Sequence, residues 1–196
     1  MDAIFRRRMI RRYTAQPVSP ETVQALLEAA IRAPSPHNRQ PWRFAVVTGS
    51  ARGRLATVMG EQLQRDLKND CLAADQIDKD VSRSQARITS AQVAIVACLT
   101  LREMDTYPDA RRSDAERWMA AQAVAAACQN ILLRATELGL GACWMCAPLF
   151  CPEVVRASLV LPDDWEPQAL ITLGYPADAG RERERKAVEA VTVWVT

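Results

Sequence analysis

Three thiols fall within nine residues at Cys143-Trp144-Met145-Cys146-Ala147-Pro148-Leu149-Phe150-Cys151, half of the six cysteines in the chain. The spacing raises metal binding and dithiol redox chemistry. A structural zinc wants a fourth Cys or His, and the single histidine, His37, is far upstream. If residues 141–146 form a strand, Cys143 and Cys146 stand at an odd offset and point to opposite faces. A thioredoxin-like CxxC should open a helix, and this one follows a strand-like run. Cys71, Cys98 and Cys128 lie in helix- or strand-like patterns, the usual place of a small buried thiol. No metal is expected.

Charged side chains offer other chemistry. Arg7, Arg8, Arg11 and Arg12 fall at i, i+1, i+4 and i+5. On a helix over residues 2–12 they would form one strip, able to grip a phosphate bidentately or to serve as a solvated basic face. A second cluster, Arg181, Arg183, Arg185 and Lys186, lies near the other end. It reads either as the other half of one anion site or as a solvated charge run. The loop Pro34-Ser35-Pro36-His37-Asn38-Arg39-Gln40-Pro41 is stiffened by proline. It either offers backbone groups and the Asn38 and Gln40 amides to a planar ligand or simply connects two elements. His37 has no local partner for a catalytic triad. Gly139 and Gly141 permit close backbone approach. They do not make a GxGxxG turn, because Trp144 stands where the third glycine belongs.

The elements that must position these groups follow from pattern. With 196 residues, 49% hydrophobic and 24% charged, the chain has ordinary globular composition and length for one domain over 1–196. A net charge of +2 gives no bulk drive toward nucleic acid or membrane. No apolar run reaches the roughly 20 residues of a membrane helix. The Arg-rich N-terminus lacks the apolar region of a secretory signal and only superficially resembles a transit peptide. A cytoplasmic location with reduced thiols is expected.

Ser19 caps a helix with Pro20 at its first position and Val23, Leu26, Leu27, Ala30 and Ile31 on its apolar face. Pro34 and Pro36 stop it. Strands are expected over 42–47, 92–99, 141–146 and 168–174. Helices are expected from a Ser50 cap to about 67, over 71–87, over 114–138 with Asp114 as cap and Gly139 just past its end, and over 151–159. The 71–87 helix is polar enough to be peripheral, a possible mobile cover. The 114–138 helix is Ala-rich and apolar almost all round, so it should lie centrally. Val191, Val193 and Val195 alternate at the C-terminus, as in a strand that pairs with another surface, such as a partner subunit. The layout is α+β, and strand order is not legible.

Taken in order, "RRRMIRRYTAQPV", "AAIRAPSPHNRQPWRFAVV", "ELGLGACWM", "LPDDWEPQALITLGYP" and "RERERKAVEAV" resemble the nitroreductase family of FMN oxidoreductases. The resemblance implies a mainly antiparallel sheet flanked by helices, in an intertwined homodimer with a C-terminal arm from about residue 186 to 196. It implies an FMN phosphate held by Arg7, Arg8, Arg183 and Arg185, with Met9 in place of a Ser common in the family. It places Arg11 near the flavin N1/O2 edge. Pro34, Ser35, Pro36 and Asn38 would touch ribityl and ring, and Trp144, Met145 and Cys146 would line the ring with backbone. On that reading the CWMC stretch provides shape rather than thiol chemistry. The implied activity is ping-pong hydride transfer from NAD(P)H or a deazaflavin donor to a nitroaromatic, quinone or enone, with no obligatory side-chain catalyst.

The segments "YPDARRSDAERWMAAQAVAAACQNILLRATELGLGACWMCAPLF" and "VVRASLVLPDDWEPQALITLGYP" are similar to the C-terminal FMN domain of coenzyme F-420:glutamate ligase, which reduces a dehydro precursor of that deazaflavin. The ligase domain has no counterpart here, and NRQPW is the general nitroreductase form. Two other classes stay open: a flavin- or deazaflavin-binding protein without turnover, and an anion or nucleic-acid module without flavin. Which nicotinamide serves as donor is not legible, because no ribose-reading motif is visible.

Overall fold

The computed structural model describes residues 3–196. Four antiparallel strands form one sheet in the order β1-β2-β4-β3, with β1 Trp42–Val47, β2 Val93–Leu99, β3 Gly141–Met145 and β4 Glu166–Gly174. The four strand expectations hold to within two residues at each end. β2 and β4 take the centre: β2 is an unbroken apolar run and β4 is buried from Ala169 to Gly174. Every residue of β2 is buried, which suits a strand covered on both faces.

The two faces meet different helices. Val93, Ile95, Ala97 and Leu99 of β2, with Ala169, Ile171 and Leu173 of β4, pack on α2 (Pro20–Ala30) and α5 (Ala110–Glu137). Ala94, Val96 and Cys98, with Leu170, Cys143 and Met145, pack on α3 (Gly49–Asn69) and α6 (Pro152–Leu159). The period of two along each strand thus divides one sheet between two cores. Each fully buried Ile or Leu contributes roughly 1.5–3 kcal/mol of transfer free energy. α4 (Ala74–Thr89) lies outermost against α3 and buries only Ile77 and Ile88.

Local rules explain most helix ends. Ser19 Oγ accepts from Thr22 N–H at 3.2 Å, as expected of that cap. α5 begins a turn earlier than its expected Asp114 cap. Asp109 holds its start, accepting from Arg112 N–H at 3.0 Å and from the Arg112 side chain, which keeps the carboxyl below the usual carboxylate range. Gly139 closes α5 with φ of +73°. α3 starts after Thr48 rather than Ser50, whose hydroxyl accepts from Arg54 instead.

One expectation fails. The helix over 2–12 is one turn only, α1 at Ala3–Arg6, and residue 2 lies outside the described residues. From Arg7 onward the chain is extended. Like charges at i, i+4 (Arg7 with Arg11, Arg8 with Arg12) oppose a helix, and a sheet edge offers an alternative. Ile10 N–H donates to the Ala142 carbonyl at 3.0 Å, Thr14 N–H to Tyr175 at 2.9 Å, and Ala177 N–H to Arg12 at 3.0 Å. The alternating valines of the tail form no strand in the described chain. Residues 188–191 make a single 3-10 turn, and Val191, Val193, Trp194 and Val195 are exposed. Among the described residues, no helix is long and apolar enough to cross a membrane.

Candidate functional site

The extended N-terminal segment is anchored by its apolar members. Ile10 is buried against Gly141, where a Cβ would lie 2.6 Å from Ile10 Cγ2. Tyr13 crosses β4 with its hydroxyl 2.7 Å from the Ile10 carbonyl and 2.8 Å from Thr172 Oγ1. Burial raises the Tyr13 pKa, so it acts as a neutral anchor. After β4 the chain turns back alongside this segment. Gly180, at φ +69°, passes so close that an added Cβ would sit 2.7 Å from Ile10 Cδ1 and 3.0 Å from Arg8 Cβ.

This antiparallel return brings the two arginine clusters together in a cleft of about 830 Å³. One wall carries Arg7, Arg8, Met9, Arg11 and Arg12; the other carries Asp178, Gly180, Arg181, Glu182, Arg183 and Arg185; Gln129 of α5 reaches in from a third side. Seven arginines therefore face one aspartate and one glutamate, a field suited to an anion. Arg8 Nη2 pairs with Glu182 at 2.9 Å. Arg185 donates to the carbonyls of Arg183 and Glu184, at 3.0 and 3.1 Å. Arg7 Nη1 is buried with no hydrogen-bond partner. A buried guanidinium nitrogen left unsatisfied is costly, and an anion in the cleft is the natural acceptor.

Of the expected site residues, Arg7, Arg8, Met9, Arg11, Arg183 and Arg185 line this cleft. The arginine strip does so on an extended segment, not on a helix. Pro34, Ser35, Pro36 and Asn38 do not line it. They sit in the loop between α2 and β1, beside α5. That loop is tightly held: His37, Asn38 and Gln40 all adopt left-handed backbone (φ 46°, 56° and 51°), and Gln40 N–H donates to Ser35 Oγ at 3.0 Å. Three such non-glycine residues each cost of order 1 kcal/mol and persist only under constraint.

Trp144, Met145 and Cys146 also lie outside the cleft lining. Trp144 is half-buried with Nε1 unpaired, Met145 is buried and Cys146 is exposed just past β3. Cys143 and Cys151 pack in the α3/α6 core. Burial raises the Cys143 pKa while the Arg11 guanidinium pulls it back, and burial pushes Cys151 up to about 11. Among the described residues, no group of three or more His, Cys, Asp or Glu side chains could hold a metal ion. Sequence reasoning did not assign Gln129, which no motif marks, or Arg12 and Arg181, which belong to the two noticed clusters.

Comparison with known proteins bears on this arrangement. The family model described as the nitroreductase family matches residues 4–175. A Thermus thermophilus protein named NADH dehydrogenase is 31% identical over 216 residues, spanning 98% of this chain and 94% of its own. An Archaeoglobus fulgidus protein assigned as NADH dehydrogenase/NAD(P)H nitroreductase is 31% identical over 179 residues, with 89% and 84% covered. A Desulfovibrio desulfuricans crystal structure, assigned as a nitroreductase in complex with FMN, superposes with a TM-score of 0.76 at 29% identity, covering 99% of this chain and 95% of that one.

Proposed function

The chain belongs to the nitroreductase family, and on that premise we propose that it is an FMN-dependent oxidoreductase acting between a reduced nicotinamide and a small planar acceptor. The observation that carries the cofactor is the buried, unpartnered Arg7 Nη1 in a cleft of seven arginines. The residues present fit FMN. The cleft volume falls within the range of ligand sites, roughly 300–1,000 Å³. Its guanidinium groups match a terminal phosphate, and the absent side chain at Gly180 lets the two walls approach.

FMN held there would supply hydride-transfer chemistry between the donor and the acceptor. The protein's part is to hold and bias it. Arg7, Arg183 and Arg185 would hold the phosphate through charge-assisted hydrogen bonds. Met9 contributes backbone and bulk where a hydroxyl would otherwise donate. Arg11, on the same wall, would supply a fixed positive charge to the bound ring. No side-chain acid or base is required.

The rigid loop of Pro34, Ser35, Pro36 and Asn38, and Trp144, Met145 and Cys146, are assigned to the ring side of the site. Because none of them lines the cleft of its own chain, a second copy is assigned the missing wall. The exposed apolar tail, about 186–196, supports a homodimer in which this arm lies over the partner. Acceptors to assay are nitroaromatics, quinones, enones and, from the resemblance to the ligase's FMN domain, a dehydro deazaflavin precursor.

The test is the absorbance spectrum of the purified protein, with mass spectrometry of the chromophore released on denaturation. A yellow protein releasing FMN at about one per subunit is expected. A colourless protein that fails to take up added FMN would sink the reading.

A further inference from the structure

The loop assigned to the ring side, residues 34–40, is held by residues far from it in sequence. We propose that Glu103 and Asp105, in the connection from β2 to α5, are positioning residues: they brace this strained loop so that it presents a fixed wall to the ring and the acceptor. The inference rests on the flavin reading above, which places the loop at the ring.

The loop needs a brace because its backbone is strained. His37, Asn38 and Gln40 all have positive φ, at 46°, 56° and 51°. Asn and His enter the left-handed region more readily than most side chains, a preference that Gln does not share. Such conformations persist only where surrounding contacts over-determine them. Ser35 supplies part of the constraint from inside the loop. Its carbonyl accepts from Asn38 N–H at 3.1 Å and its Oγ from Gln40 N–H at 3.0 Å.

The rest comes from across the fold. Arg43, on β1, donates through Nη1 to the Gln40 carbonyl at 3.1 Å and through Nη2 to Glu103 at 2.9 Å. Both backbone polar groups of Gln40 are thereby taken, the second by an arginine whose aim Glu103 fixes. Arg39, beside Gln40, pairs with Asp105. Between the two carboxylates, Met104 is buried, which seats this part of the connection in the protein. Its foot is tied as well: Thr100 N–H donates to the Pro41 carbonyl at 2.9 Å and Thr100 Oγ1 to Asp164 at 2.8 Å. An isolated surface ion pair contributes little. Here two pairs flank one buried side chain and act on arginines four residues apart, so together they restrict one short loop. Arg39, Arg43, Glu103 and Asp105 do not line the arginine cleft, so the brace acts through the loop and not by touching the phosphate.

The test reads the loop and the site separately. Hydrogen exchange of the Asn38, Arg39 and Gln40 amides is followed by mass spectrometry on the full chain, with and without added FMN. It should run about three- to tenfold faster in E103Q/D105N than in wild type, with the amides of β2 unchanged. High salt should quicken the wild type toward the variant and leave the variant as it is. In the FMN-loaded protein, KM for a small quinone should rise about three- to tenfold while kcat stays within about twofold. The paired reversal R39D/D105R should recover most of what D105R alone loses. Loop exchange and KM both at wild-type values would overturn the proposal, as would a paired reversal no better than D105R. So would faster exchange spread through β2 with a matching fall in melting temperature, or a loosened loop that leaves KM unchanged. A protein that takes up no FMN, yet shows faster loop exchange in E103Q/D105N, would refute the flavin reading while upholding the brace.

Discussion

Substituting Gly141 with alanine should detach the N-terminal arginine wall without touching an arginine. The added Cβ would lie 2.6 Å from Ile10 Cγ2, 2.7 Å from Ile10 Cβ and 3.0 Å from Cγ1. Cβ is rooted in the backbone, so a side-chain rotation does not relieve the contact and the segment itself must move. Overpacking of this kind costs about 1–3 kcal/mol, and weakening the Ile10 N–H to Ala142 bond adds about 1 kcal/mol. A total near 2–4 kcal/mol corresponds to a fall of about 4–16 °C in melting temperature for a chain of this size. Arg7, Arg8, Arg11 and Arg12 move with Ile10, so FMN affinity should fall about tenfold or more.

The assay is thermal unfolding with and without added FMN, together with flavin titration by fluorescence. A double-mutant cycle isolates the contact. I10A alone is destabilising through its cavity, but it removes Cγ2 and Cγ1, so G141A should cost about 1 kcal/mol less on that background. The close-approach argument fails if G141A melts and binds flavin like wild type, or if the two substitutions are strictly additive.

Other expectations are independent of this one. Arg7→Met removes a buried, unsatisfied donor, so the flavin-free protein should be as stable as wild type or more so, while FMN affinity drops about tenfold or more; unchanged affinity measured by titration would contradict the assignment. Deleting residues 186–196 should shift light scattering from dimer toward monomer and lower flavin content, and a truncated protein that stays dimeric and yellow would contradict the arm reading. Burial pushes the Cys98 and Cys128 pKa up to about 12, from an ordinary value near 9. A raised folded-state pKa means this contribution is fully present below about pH 9 and is lost as pH rises toward 12, at about 1.4 kcal/mol per pH unit for each thiol. Denaturant midpoints between pH 9 and 12 should fall less steeply in Cys128→Ala than in wild type. Alkylation near pH 8 should mark the exposed Cys71 and Cys146 first, checked by peptide mass spectrometry.

Much of the framework was legible in the sequence because its causes are local. Ser19 and Pro20 start α2, Pro34 and Pro36 stop it, and Gly139 ends α5, each through its own backbone preference. The unbroken apolar run of β2 announced a strand covered on both sides. The arginine clusters were visible as residues. The conformation that carries the first cluster was not. RRRMIRRY has helical spacing, yet the free edge of β3 and the returning segment 175–177 supply backbone partners that no local rule can count, while like-charge repulsion removes the helical alternative. Strand order, the split of one sheet between two cores and the meeting of Arg7–Arg12 with Arg181–Arg185 depend on contacts between distant residues, so only the tertiary structure decided them. The same holds for the loop at Pro34–Asn38. Its residue types promised ligand contacts, but the fold sets it outside the cleft of its own chain, where a binding surface is completed only by what packs against it.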